Sequence, residues 1–319
     1  MMALVYDGDV RLEKEYPIPE KKPHELLIRV LKAGICRTDL EIMKGYSGFK
    51  GILGHEFVGL VEEGPEPDLI GKRVVGEINV SCKACSFCHQ GLSNHCQNRT
   101  VLGIKEQNGV FAQFVVLPRE NIHLLPDSLS NDQAIFIEPL AAALQILEMA
   151  HFLPQQKIAV LGDGTLGLLS AQVLSLTGAE VLAVGRHREK LKILERRGIE
   201  TALSEALGQR KFDVLVECTG SPSGLREALC LVRPRGTIVL KSTYAELPTL
   251  DLSPLVINEI TLVGSRCGTF QAAIRLLESH HIDVLPLISQ RFPLEKGLPG
   301  IEAAQGRETI KVLLEVSND

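Results

Sequence analysis

Apolar and polar positions alternate along residues 25–33 (ELLIRVLKA), and shorter runs at 57–62, 73–78 and 110–117 repeat the pattern between Gly- and Pro-containing stretches. Alternation with a period of two marks strands that bury one face, so the first part of the chain is predicted to be an irregular β region with long loops. The texture changes near residue 132. Residues 132–149 (DQAIFIEPLAAALQILEM) read as helical around Pro139. Strand and helix then alternate. Strands are expected at 157–161, 180–184, 213–218, 237–240 and 260–264, with helices at 165–177, 188–197, 223–232 and 270–279. That rhythm predicts a parallel sheet covered on both faces. Residues 309–316 (TIKVLLEV) form a last strand able to rejoin the first domain.

With 319 residues, 45% hydrophobic and 23% charged, the chain is expected to make two packed domains. Its net charge of −5, with signs mixed, gives no footprint for nucleic acid or for a basic membrane patch. No apolar stretch reaches the roughly 20 residues a bilayer demands. Residues 1–11 lack the layout of a secretory signal, so a cytoplasmic location is expected. Eight cysteines are too few for a disulfide framework in a chain this long, and their clustering points to metal or catalysis.

Cys82, Cys85, Cys88 and Cys96 are spaced C-x2-C-x2-C-x7-C. Four thiolates from one short loop can enclose a tetrahedral Zn²⁺ with no open position, the layout of a structural site. An iron–sulfur cluster would close with C-x3-C-P; here the fourth Cys lies further on and Gln97 follows it. His89 and His95 lie inside the lobe, but four Cys already fill the shell, so both read as solvated.

A second set of donors is scattered: Cys36 in GICRTD, His55 and Glu56 in GHEFVG, and Glu138 in EPL. Singly each is ordinary. Together they supply the thiolate, imidazole and carboxylate donors of a metal site with a free coordination position. Residues 162–167 (GDGTLG) follow a strand and open an apolar helix, the context in which G-x-G-x-x-G binds a dinucleotide. Gly162 allows the tight turn, Gly164 lets backbone approach the pyrophosphate, and Gly167 brings helix and strand together; Thr165 and Leu166 begin the helix whose N-terminus faces the anion.

In this order, GICRTD, GHEFVG, the four-Cys lobe, EPL and the glycine turn resemble the zinc-containing medium-chain dehydrogenases over nearly the whole chain, and most closely the polyol and threonine dehydrogenase branch. The resemblance implies a GroES-like β-rich catalytic domain (1–139 and 268–319) around a doubly wound Rossmann domain (140–267), an α/β fold. It implies two zinc ions per chain, the catalytic one held by Cys36 and His55, with Glu56 and Glu138 sharing the remaining protein positions as ligand, through water or in exchange. Zn²⁺ as a Lewis acid lowers the pKa of an alcohol. Thr38 matches the hydroxyl that accepts the proton in the family; on the residues alone it would read as a helix cap, and Asp39 as a supporting acid. A small-molecule alcohol, polyol or carbonyl substrate and a homodimer or homotetramer follow from the same resemblance.

An NAD site should have an acid at the end of its second strand, but that end reads Val184-Gly185-Arg186-His187. Gly185 leaves room and Arg186 offers a charged fork for a 2′-phosphate, so NADP(H) is favoured with NAD(H) still open. Cys218 and Thr219 end a strand of the same sheet and are expected near the nicotinamide half; Ser242, Arg266 and Lys311 read equally well as cofactor contacts or as ordinary polar residues. Two other readings compete with a dehydrogenase. A quinone reductase on this fold would lack Cys36, His55 and Glu138, and a non-catalytic nucleotide-binding zinc protein would not need the Cys-His-Glu-Thr set.

Overall fold

A computed structural model describes residues 1–244 and 249–317. The chain forms two compact units. The first comprises Met1–Glu138, Leu277–Ser279 and Ile288–Asp319, the second Pro139–Leu276 and His280–Leu287. Residues 268–276 therefore group with the second unit, a later return than residue 268. Gly268 shows why: a Cβ there would strike the backbone of Ala141, so this segment lies against the end of a helix of the second unit.

The first unit is built on a seven-stranded sheet. Its central strand, Glu25–Ile35, is buried along almost its whole length. It pairs antiparallel with Glu56–Glu63, with Phe114–Pro118 and with the C-terminal strand Lys311–Glu315. Ile288–Pro293 extends the sheet parallel to the C-terminal strand. A strand from the first forty residues and the C-terminal strand thus meet in one sheet, while Ala3–Tyr6 belongs to a separate three-stranded sheet. Residues 132–149 are not one helix but three short ones, Asn131–Ala134, Ile137–Leu144 and Ile146–Met149. Ser130 caps the first, accepting from the Gln133 N–H at 3.3 Å. Pro139 falls in the first turn of the second, where its missing N–H costs nothing.

The second unit is a six-stranded parallel sheet in the order Glu200–Leu203, Glu180–Gly185, Lys157–Leu161, Phe212–Glu217, Val232–Leu240, Thr261–Gly264. This is the doubly wound order with the switch point between Lys157–Leu161 and Phe212–Glu217. Ala159, Leu161, Leu182, Val184, Leu215 and Ile238 belong to one core cluster. The alternate residues Ile158, Val160, Val181, Ala183, Val214 and Val216 are buried too. Burial of both alternating sets means that the sheet is covered on both faces, which is why these strands are apolar runs. Among the described residues, no helix is long and apolar enough to cross a membrane.

Candidate metal and dinucleotide sites

The central strand of the first unit ends at Ile35, and Cys36 begins the helix Arg37–Met43. Asp39 closes that helix start, its Oδ2 accepting the Cys36 N–H at 2.8 Å. Its Oδ1 accepts the Gly54 N–H at 3.2 Å and lies 3.2 Å from His55 Nδ1. The imidazole pair is close but poorly aligned, so Nδ1 remains a buried atom without a proper hydrogen bond. One buried carboxylate therefore joins the segment carrying Cys36 to the segment carrying His55. Burial opposes charge on His55, but Asp39 and Cys36 outweigh it and hold its pKa well above the ordinary value.

Glu56 lies opposite Gly34 in the strand register. A side chain at Gly34 would collide with the Glu56 carboxylate and with Ile135, so the glycine makes the space that the acid occupies. Lys311, on the C-terminal strand, donates to Glu56 Oε1 at 2.8 Å and Oε2 at 2.5 Å; both residues are at most 2% exposed. Burial alone would push the Lys311 pKa down, yet Glu56 and Cys36 raise it. Lys311, readable from sequence as a cofactor contact or an ordinary polar residue, is instead the partner of Glu56. The one local signal was a lysine within an otherwise apolar strand.

Cys36, His55 and Glu56 bring one ligand atom each within 4.8 Å of one another. Thiolate, imidazole and carboxylate in a largely buried cluster, with a second carboxylate 3.2 Å from the imidazole, fit a divalent zinc ion with an open position. Thr38 Oγ1 lies 3.7 Å from Cys36 Sγ. Glu138 stands half-buried in the first turn of Ile137–Leu144 and is not one of the three grouped donors.

The four-Cys lobe gathers as its spacing predicts. Cys85 Sγ is 3.5 Å from Cys88 Sγ and 3.8 Å from Cys96 Sγ, and Cys96 Sγ is 3.4 Å from Cys82 Sγ. A tetrahedron with Zn–S bonds of about 2.3 Å has edges of about 3.8 Å, so the thiols nearly outline one. Backbone N–H groups of Cys88 and Gln97 lower the Cys85 pKa to about 6, while burial and the neighbouring thiols raise Cys88 to about 11. His89 and His95 are exposed.

In the second unit the glycine turn joins Lys157–Leu161 to the helix Thr165–Ser175. Gly162 has φ +122°, and a Cβ there would lie 2.7 Å from the Cys218 carbonyl oxygen. A Cβ on Gly167 would strike the Gly162 carbonyl, whereas open space surrounds Gly164, the N-cap. Two glycines are thus demanded by packing and the third leaves room for a ligand. Cys218 lines the turn from the adjacent strand, its N–H donating to Leu161 O at 2.8 Å; burial and Glu217 push its thiol up to about 12. Thr219 is committed internally, its Oγ1 donating to the buried Glu217 at 2.5 Å. Ser242 accepts the Gly220 N–H at 2.8 Å. Arg186, just beyond Glu180–Gly185, is exposed and makes no ion pair among the described residues.

A β-rich unit carrying two metal-type donor clusters, together with a doubly wound unit carrying a dinucleotide turn, defines a zinc- and nicotinamide-dependent oxidoreductase class. Residues 22–127 match the alcohol dehydrogenase GroES-like domain and residues 165–279 the zinc-binding dehydrogenase domain. The erythritol/L-threitol dehydrogenase of Mycolicibacterium smegmatis is 31% identical over 98% of this chain and 97% of its own. A zinc-binding dehydrogenase from Sinorhizobium meliloti, solved with NADP, superposes with a TM-score of 0.89 at 28% identity over 99% of each chain. An alcohol dehydrogenase from Escherichia coli, solved with NADH, gives 0.89 at 26% identity over 99% of each chain. The chain belongs to the zinc-containing medium-chain dehydrogenase family and is an enzyme of its alcohol and polyol dehydrogenase class.

Proposed function

We propose that this enzyme interconverts a secondary alcohol or polyol and the corresponding carbonyl compound, using one catalytic and one structural zinc and preferring NADP(H) to NAD(H). The grouping of Cys36, His55 and Glu56 around one buried point carries this reading. Bound there, zinc supplies Lewis acidity toward a substrate oxygen, and the nicotinamide supplies the hydride acceptor or donor. Cys36 and His55 would hold the ion, with the Asp39 carboxylate beside the imidazole. Glu56, its charge balanced by Lys311, stands at ligand distance, and Glu138 completes the set directly or through water. Thr38 Oγ1 takes the substrate proton. Cys82, Cys85, Cys88 and Cys96 hold the structural ion.

The glycine turn, with Gly162, Gly164, Thr165, Leu166 and Gly167, takes the pyrophosphate, and Cys218 and Thr219 flank the nicotinamide half. Gly185 and the unpaired Arg186 favour a 2′-phosphate. Cys36→Ser is expected to lower both zinc content and turnover, measured by metal analysis and an alcohol and polyol panel. Arg186→Ala is expected to weaken NADPH relative to NADH; equal affinities before and after would overturn the cofactor preference.

Self-association is supported by the sheet edge. Thr261–Gly264 pairs on one side only among the described residues. Leu252, Val256, Ile257 and Leu262 nearby are 40–80% exposed. An open edge beside apolar surface favours pairing with a second copy. Val256→Glu is expected to shift a dimer or tetramer toward smaller species in analytical ultracentrifugation. The free, clustered thiols favour a reducing cytosolic setting.

A further inference from the structure

The strand Glu180–Gly185 carries no acid at its end, yet a carboxylate stands there. It belongs to Asp163, in the middle of the glycine turn. Its Oδ2 accepts the N–H groups of Arg186 at 2.6 Å and His187 at 2.7 Å, and lies 2.9 Å from His187 Nδ1. Gly185 permits this: a Cβ there would lie 2.5 Å from Oδ2, so the carboxylate fills the space where a strand-end side chain would start. All three contacts fall on one oxygen. Oδ1 accepts no hydrogen bond from the described residues, and the side chain keeps 13% of its surface exposed. Burial opposes the charge, but the N–H groups of His187 and Arg186 prevail and lower the pKa, so Asp163 is ionised near neutral pH.

We propose that Asp163 is the specificity-determining residue for the adenosine ribose: its free Oδ1 accepts the 2′-hydroxyl of NAD(H) in place of the missing strand-end acid, and its charge opposes the 2′-phosphate that Arg186 attracts. The inference rests on the assignment of the glycine turn and Arg186 to the cofactor. Opposed charges at one strand end make a site that accepts both cofactors, with NADP(H) ahead by the margin that Arg186 holds over Asp163. His187, joined to the same carboxylate oxygen, leaves Oδ1 as the atom available to the ligand.

The test is calorimetric titration of the zinc-loaded full-length protein with NADH and with NADPH. Asp163→Asn keeps the shape and an acceptor oxygen but removes the charge. It is expected to weaken NADH about tenfold to a hundredfold, the worth of a charge-assisted hydrogen bond, and to tighten NADPH. Asp163→Gly with Gly185→Asp moves the acid to the strand end and is expected to restore NADH binding while weakening NADPH. A purely structural Asp163 would not be rescued by that relocation. Unchanged NADH affinity in Asp163→Asn, or no recovery in the double variant, overturns the proposal. If Arg186→Ala still weakens NADPH in that case, the cofactor assignment survives without it; if none of the variants moves either affinity, both fail.

Discussion

The Glu56–Lys311 ion pair is taken almost wholly out of water. Removing one partner strands the other. Lys311→Met is expected to destabilise the protein by about 3–5 kcal/mol in denaturant titration, and adding Glu56→Gln to recover part of the loss. If Lys311→Met unfolds at the same denaturant concentration as the parent, the pair is not held as described. Gly34→Ala tests the same spot from the opposite side, since its methyl group would push against the Glu56 carboxylate and Ile135. Overpacking of this kind is expected to cost about 1–3 kcal/mol. Cys36, His55 and Glu56 were legible as donors only as a set, since each alone is an ordinary residue and together they supply thiolate, imidazole and carboxylate. Lys311 was legible only as a lysine in an otherwise apolar strand, and its partner Glu56, 255 positions away, was not legible at all.

At the scale of elements, regular strands and helices were read well, and irregular ones less so. The parallel strands are apolar runs because both faces are buried, and such runs stand out. The 131–149 region misled because its apolar period continues across two breaks, one after Ala134 and one after Leu144. The four-Cys lobe has little regular structure of its own, a single four-residue helix Ser86–His89 and a short 3₁₀ turn. A metal held by the four thiols would supply order that this backbone lacks. Cys85→Ser is expected to remove one zinc per chain by metal analysis and to speed amide exchange across residues 79–107. The same exchange pattern with and without chelator would contradict that dependence.

Across the whole molecule, the first unit joins segments far apart in the sequence, the C-terminal strand pairing with Glu25–Ile35. Asp132 holds Lys32 at 2.7 Å and Arg291 at 2.6 Å, tying the central strand to a strand from the C-terminal segment. Partial burial works against its charge, but Lys32 and Arg291 lower its pKa below 3.8. A depressed carboxylate adds stability above its unfolded pKa and loses it as pH falls through the lower folded value. Unfolding followed from pH 6 down to about pH 2 is therefore expected to show a steeper acid loss in the parent than in Asp132→Asn.

What the sequence determined by itself was local: the period of each element, the glycine turn after its strand, and donor types at metal-ligand spacing. These depend on neighbours along the chain, where sterics and periodicity act directly. The tertiary structure decided which buried charges became partners. Glu56 and Lys311 are 255 positions apart, and Asp163 reaches the strand end 24 positions on. Such pairings are set by strand register and by the shape of a turn, and neither is encoded within a short window.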